Sequence, residues 1–144
     1  FCSNRAELES RWLGLRRRLL DSLEDVEHCF VLGTPDESLP NTLNLGFQGI
    51  SAESLLICLD LDGIAVSSGS ACSSGAMEAS HVLLAMGYSH EQAKSSLRIS
   101  MGWNTSEEDI EELSRQLIHH VKRLTPISGK SDSNIQIPEP VTEI

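Results

Sequence analysis

Thr42 to Gly63, TLNLGFQGISAESLLICLDLDG, holds a strand, a turn and a helix in quick succession. Leu43 and Leu45 alternate with Asn44 and Gly46, the period-2 pattern of a strand in a sheet with one covered face. Ser51 is a plausible N-cap and Ser54 a weaker one for a helix running to Gly63, whose freedom at positive φ suits a helix stop. Working outward, CFVL (29–32) reads as a short strand and GTPDESLPN (33–41) as a turn-forming connection. GIAV (63–66) reads as another short apolar strand, and SLRISM (96–101) alternates as a strand. Two of the connections are too short for a wrapped parallel sheet, so antiparallel pairing is expected. The fold class is therefore α+β, a small, mostly antiparallel sheet covered by helices.

The flanking segments supply the helices. From about Glu7 to Val26 the apolar residues Leu8, Trp12, Leu15, Leu19, Leu23 and Val26 recur at helical spacing. The opposite face carries Arg11, Arg16, Arg17 and Arg18 and reads as solvated. Ser80 can cap a short helix through Met86, and Ser89 with Gln92 has capping-box spacing for another. Thr105 with Glu108 repeats that spacing before Ile110, Leu113, Leu117, Val121 and Leu124, with acids at the first turn and Lys122 and Arg123 at the last, as the helix dipole favours. Residues 1–124 thus form one domain, and 125–144, with Pro126, Pro138 and Pro140, read as a flexible tail.

Composition narrows the function classes. The chain has 144 residues, 40% hydrophobic and 22% charged, enough for a single modest core. Its formal net charge of −10 speaks against nucleic acid, which needs a basic face. No stretch approaches the roughly 20 apolar residues of a membrane span, and no signal-peptide layout opens the chain, so no membrane is expected and the location is read as cytoplasmic. A start at Phe1, directly before a helix, suggests a piece of a longer protein. Cysteines at 2, 29, 58 and 72 and histidines at 28, 81, 90, 119 and 120 share no metal-ligand spacing, so no metal site is expected. Cys29 and Cys58 stand in apolar runs as small buried hydrophobes. The sequon Asn104-Thr105-Ser106 reads as a capping sequence.

Residues 67–79, SSGSACSSGAMEA, break every periodicity and set five serines and two glycines around Cys72. A cysteine in such a loop is unhindered and able to move, as a nucleophile that reaches a substrate and then presents its product must be. The alternative is a Ser/Gly linker with an incidental cysteine. No adjacent cation or long helix N-terminus lowers its pKa, so activation comes from elsewhere, and His81, the nearest histidine, serves only if the loop folds back. Arg98, inside SSLRIS, either faces solvent or clamps a carboxylate with its guanidinium fork.

SSGSACSSG (67–75), ASHVLLAMG (79–87) and SSLRISMGWNTSEEDI (95–110), with LPNTLNLGFQGISAESLLICLDLDGIAV (39–66) upstream, resemble the small C-terminal domain of cysteine desulfurases. These are class V aminotransferase-like enzymes with an aspartate aminotransferase-like fold, and the resemblance covers roughly residues 5–124, to the iron-sulfur cluster assembly type with a long cysteine loop. It implies a full-length parent, a homodimer, that uses pyridoxal phosphate to convert L-cysteine to L-alanine. Cys72 matches the nucleophile that becomes a persulfide and hands sulfur to an acceptor such as an iron-sulfur scaffold protein, and Arg98 matches the arginine holding the substrate carboxylate. The cofactor-binding lysine lies in the family's large N-terminal domain, and none of Lys94, Lys122 and Lys130 has its His-Lys signature. Covalent pyridoxal phosphate is therefore not expected on these residues, and the chain alone is expected to be inactive. Ala79 stands where the family commonly has proline. A stand-alone persulfide carrier, a selenocysteine lyase domain and an interaction module using the Arg-rich helix or the tail are the alternative readings.

Overall fold

A computed structural model describes residues 3–34, 37–68 and 78–125. The elements in order are α1 (Ser3–Leu23), β1 (Cys29–Leu32), β2 (Thr42–Phe47), α2 (Ala52–Leu61), β3 (Ser67–Ser68), α3 (His81–Ala85), α4 (His90–Lys94), β4 (Ser96–Ser100) and α5 (Glu107–Leu124). The strands form one sheet in the order β1-β2-β4-β3, and each neighbouring pair is antiparallel. This is the expected α+β architecture.

Strand alternation divides the sheet into two unlike faces. Leu43, Leu45 and Phe47 of β2 and Leu97 and Ile99 of β4 point to one side and are buried with Leu15 and Leu19 of α1, Leu55 and Leu59 of α2, and Ile110, Leu117 and Val121 of α5. Each such side chain contributes about 1.5–3 kcal/mol by leaving water. On the other side, Leu32 of β1 packs with Ala79, Leu83 of α3 and Ala93 of α4, joined by Phe30, Leu84 and Tyr88. The Tyr88 hydroxyl accepts a hydrogen bond from Gly33 N–H at 2.8 Å, tying this cover to the end of β1.

Several local expectations change. The first helix ends at Leu23 rather than Val26, and its arginine face is not simply solvated. Arg16 is only 5% exposed and donates to Ser38 Oγ at 3.1 Å and the Leu39 carbonyl at 3.4 Å. Arg11 donates to the carbonyls of Trp103 and Thr105, and Arg18 pairs with Glu107 and Glu111. GIAV is not a strand, because the pairing with β4 begins only at Ser67, so the segment read as an unbroken loop from residue 67 starts with two strand residues. The cap of α5 is shifted by one: Ser106 Oγ accepts from Asp109 N–H, and Asp109 Oδ2 accepts from Ser106 N–H at 2.8 Å. Thr105 cannot take that role while its Oγ1 accepts from Gly102 N–H. Ser51, Ser80 and the Ser89–Gln92 box cap their helices as expected. The 125–144 tail lies, beyond Thr125, outside the described residues.

Gly46 owes its identity to a close approach. It pairs with Phe30, whose ring lies where a Cβ on residue 46 would stand. Gly46→Ala is expected to destabilise the domain by about 1–3 kcal/mol, the usual cost of overpacking. Denaturant melts of Gly46→Ala, Phe30→Leu and the double variant check this, with the double variant recovering part of the loss because the smaller side chain vacates the position.

Candidate active site

The sheet register builds the site. One row runs Leu32, Asn44, Arg98, Ser67 across all four strands, with each residue the Cα partner of the next. Partnered residues of an antiparallel pair share a face, so this row lies opposite the leucine-lined side. Helices α3 and α4 cover part of that face, packing on Leu32 of β1 and along β2, and leave Arg98 exposed and Asn44 half-buried. A cleft of about 380 Å³ opens there, with Arg98 and Asn44 on its floor, Gly33, Glu37 and Ser38 on one wall, and Ser80, Val82 and Met86 on another.

The chemistry of the cleft follows from its unsatisfied groups. Among the described residues, neither Arg98 nor Asn44 has a side-chain hydrogen-bond or ion-pair partner. A guanidinium on a sheet floor presents planar donors that match a carboxylate in bidentate fashion. Glu37 is the carboxylate lining the cleft, and it forms no ion pair with Arg98. The exposed Val82 and the partly exposed Met86 form an apolar rim. Arg98 faces solvent, the first of its two readings, and it does so in a concavity. The sequence reading passed over Asn44 and Glu37. The alternation of β2 had already put Asn44 on the uncovered face, whereas no sequence signal brings Glu37 there.

Cys72 lies outside the described residues, but the residues on either side of its segment are defined. Ser67 is the register partner of Arg98, and Ser80 lines the cleft while its Oγ accepts from Leu83 N–H to cap α3. Of the residues that flank the segment containing Cys72, Ser67 is thus paired with Arg98 and Ser80 lines the same cleft as Arg98. His81 opens α3 and is exposed.

Cys29, Cys58 and His120 take structural roles. Cys29 is partly buried against the core, and burial pushes its thiol up to about 11, while Cys58 is half-buried on α2. His120 is buried and its Nε2 lies 2.6 Å from Asp62 Oδ2, joining α5 to the C-cap of α2. Among the described residues no group of three or more His, Cys, Asp or Glu is arranged to hold a metal ion.

These residues do not fit a covalently held pyridoxal phosphate. Such a cofactor needs an amine in the same pocket as the substrate anchor. Lys94 lines a different, open depression of about 600 Å³ with Glu53, His90 and Glu91, and Lys122 is exposed in the last turn of α5. Neither lines the Arg98 cleft.

The family described as Aminotransferase class-V matches residues 4–113. The chain is 39% identical over 114 residues to cysteine desulfurase IscS 1 of Archaeoglobus fulgidus, covering 79% of this chain and 30% of that protein. It is 41% identical over 115 residues to cysteine desulfurase NifS of Azotobacter vinelandii, covering 80% and 29%. The chain thus spans about a third of the length of the curated relatives it matches. The X-ray structure of a NifS-like protein from Rickettsia africae superposes with a TM-score of 0.71 at 30% identity, covering 84% of this chain and 31% of that one.

The shifted Cys29 thiol has two consequences with a definite sign. At pH 8 it stays protonated, so iodoacetamide should leave Cys29 unmodified in the folded protein, and peptide mass spectrometry should find labelling there only as the pH approaches 11. The same thiol ionises near 9 once unfolded, so the folded state holds the proton that the unfolded state releases. This contribution to stability is complete below pH 9 and declines as the pH rises toward 11, which denaturant melts of the wild type against Cys29→Ala would resolve.

Proposed function

The chain belongs to the aminotransferase class-V family, and from that premise we propose that it is the sulfur-accepting part of a cysteine desulfurase serving iron-sulfur cluster assembly. The single observation that carries this reading is Arg98, without a partner among the described residues, in a cleft that Ser80 also lines and next to its strand partner Ser67, the residues that flank the segment with Cys72. Only four peptide units, about 14 Å of fully extended chain, separate Ser68 from Cys72. Relatives named cysteine desulfurase support the same assignment.

In this reading Arg98 binds the carboxylate of L-cysteine and presents its Sγ to the Cys72 thiolate. The thiolate forms a sulfur–sulfur bond as the substrate's Cβ–Sγ bond breaks. The electron pair left on carbon ends as a C–H bond, giving L-alanine and a Cys72 persulfide. The proton lost from the Cys72 thiol balances the one gained by carbon. Pyridoxal phosphate would supply an electron sink for this chemistry, and no lysine among the described residues lines the cleft to hold it covalently. The persulfide then passes to an acceptor such as an iron-sulfur scaffold protein. Residues 1–124 act as the small domain and 125–144 as a tail, within a cytoplasmic homodimer.

Two experiments test the reading. In the full-length enzyme, Cys72→Ala is expected to abolish sulfur transfer while the cofactor absorbance persists, and retained transfer removes Cys72 from the mechanism. The 144-residue chain alone, given pyridoxal phosphate and L-cysteine, should release no alanine over multiple turnovers. After incubation with an active desulfurase its mass should instead rise by one sulfur at Cys72, whereas steady alanine production would overturn the division of labour.

A further inference from the structure

We propose that Asn44 is a second substrate-positioning residue, whose side-chain amide shares the carboxylate of L-cysteine with the Arg98 guanidinium; this rests on the role of Arg98 proposed above. Three observations meet at this residue. Asn44 is the direct cross-strand partner of Arg98, and such partners hold their Cβ atoms about 4.5–5.5 Å apart on one face. Both side chains line the same cleft. Asn44 is half-buried, and its amide, which has no partner among the described residues, keeps contact with solvent in the cleft, where a ligand can reach it.

The alternation of β2 sharpens the point. Leu43, Leu45 and Phe47 are placed by the core, and Gly46 is kept small by the Phe30 ring. Asn44 has no such structural duty. Its position mid-strand is unfavourable by propensity, since asparagine is depleted in strands. A side chain that packs into no core, caps no helix and bonds no neighbour, yet faces an unpaired guanidinium, has the geometry of a ligand contact. A carboxylate has two oxygens and about four lone-pair sites, so it can accept two guanidinium N–H bonds and still take an amide N–H. The amide adds a third donor to the guanidinium fork: with donors on two adjacent strands, the carboxylate is held from two sides and the substrate's Sγ keeps one bearing. The chemical class selected is an α-carboxylate on a small amino acid, held between a polar floor and the Val82 and Met86 rim.

The test uses the full-length enzyme with pyridoxal phosphate bound, measuring kcat and KM for L-cysteine in Asn44→Ala, Asn44→Ser, Asn44→Asp, Arg98→Ala and the Asn44→Ala/Arg98→Ala pair. Asn44→Ala and Asn44→Ser should each raise KM about tenfold with kcat within about twofold, as expected for one lost hydrogen bond to a charged group. Asn44→Asp should raise KM further, because the new carboxylate pairs with Arg98 and repels the substrate. Inhibition by L-alanine should weaken in parallel, since the product carries the same carboxylate. In the Arg98→Ala background the Asn44→Ala effect should shrink, the non-additivity of two groups that share one ligand. An unchanged KM in Asn44→Ala, Asn44→Ser and Asn44→Asp, with KM raised in Arg98→Ala, overturns the role of Asn44 and leaves Arg98 standing. An unchanged KM in Arg98→Ala overturns the anchor itself. Equal loss of kcat in all Asn44 variants with KM constant also refutes the proposal, because it marks a folding or loop effect instead of binding.

Discussion

The pairing of β2 with β4 is the constraint on which both the core and the cleft depend. Its register sets Leu43 against Ile99 and Leu45 against Leu97 on the helix-covered side, and Asn44 against Arg98 on the other. A slip of one residue would turn every side chain of the moved strand over. On β4 that would put the Arg98 guanidinium among buried leucines, where an unpaired charge costs about 3–5 kcal/mol. The hydrophobic pattern that folds the sheet is therefore also what keeps Arg98 facing outward. Stability and the make-up of the cleft are specified by the same alternation, read from opposite faces.

The walls of the cleft are fixed from the far side of the molecule. Arg16 projects from α1, which packs on the covered face, yet it holds Ser38 and the Leu39 carbonyl in the connection between β1 and β2. That connection carries Gly33, Glu37 and Ser38 to the cleft. Tyr88, at the turn between α3 and α4, holds the start of the same connection through Gly33 N–H. A buried arginine bound to a hydroxyl and a carbonyl is a long-range tie, because losing those acceptors would leave its own guanidinium unsatisfied at 5% exposure. The same stretch of chain is thus anchored at two points, one in each layer of the fold.

Much of this was legible in the sequence because the informative signals were periodic. The alternation in TLNLGF and SLRISM, the apolar stripe ending at Leu124 and the serine caps each specify an element through local chemistry, and the elements formed. What local chemistry left open was decided by tertiary contact. Thr105 and Ser106 both had an acid three residues on, and the hydrogen bond from Gly102 to Thr105 left the cap to Ser106. The apolar run GIAV lacked a partner strand, since pairing with β4 starts at Ser67. Arg16 looked like its neighbours Arg17 and Arg18 in sequence but turned inward toward a loop 22 residues away. The motif at Cys72 and the anchor at Arg98 came from residue identity and resemblance, whereas Asn44 needed the register, which no single strand reveals.

The charge balance gives the unpaired state of Arg98 its meaning. The chain carries 21 acids against 11 basic side chains, so a carboxylate partner is available to almost any arginine that needs one. Arg18 takes Glu107 and Glu111, and Arg115 takes Glu112. These exposed pairs contribute little to stability, commonly below about 1 kcal/mol, and form where nothing forbids them. Arg98 lines a cleft with Glu37 and still forms no ion pair with it. An internal ion pair there would compete with any incoming carboxylate, and its rupture would be charged against binding. In the role proposed for Arg98, holding the acid on the wall and the cation on the floor leaves the guanidinium ready without that competition, a form of preorganisation in which the fold, rather than the substrate, bears the cost of keeping the charges apart.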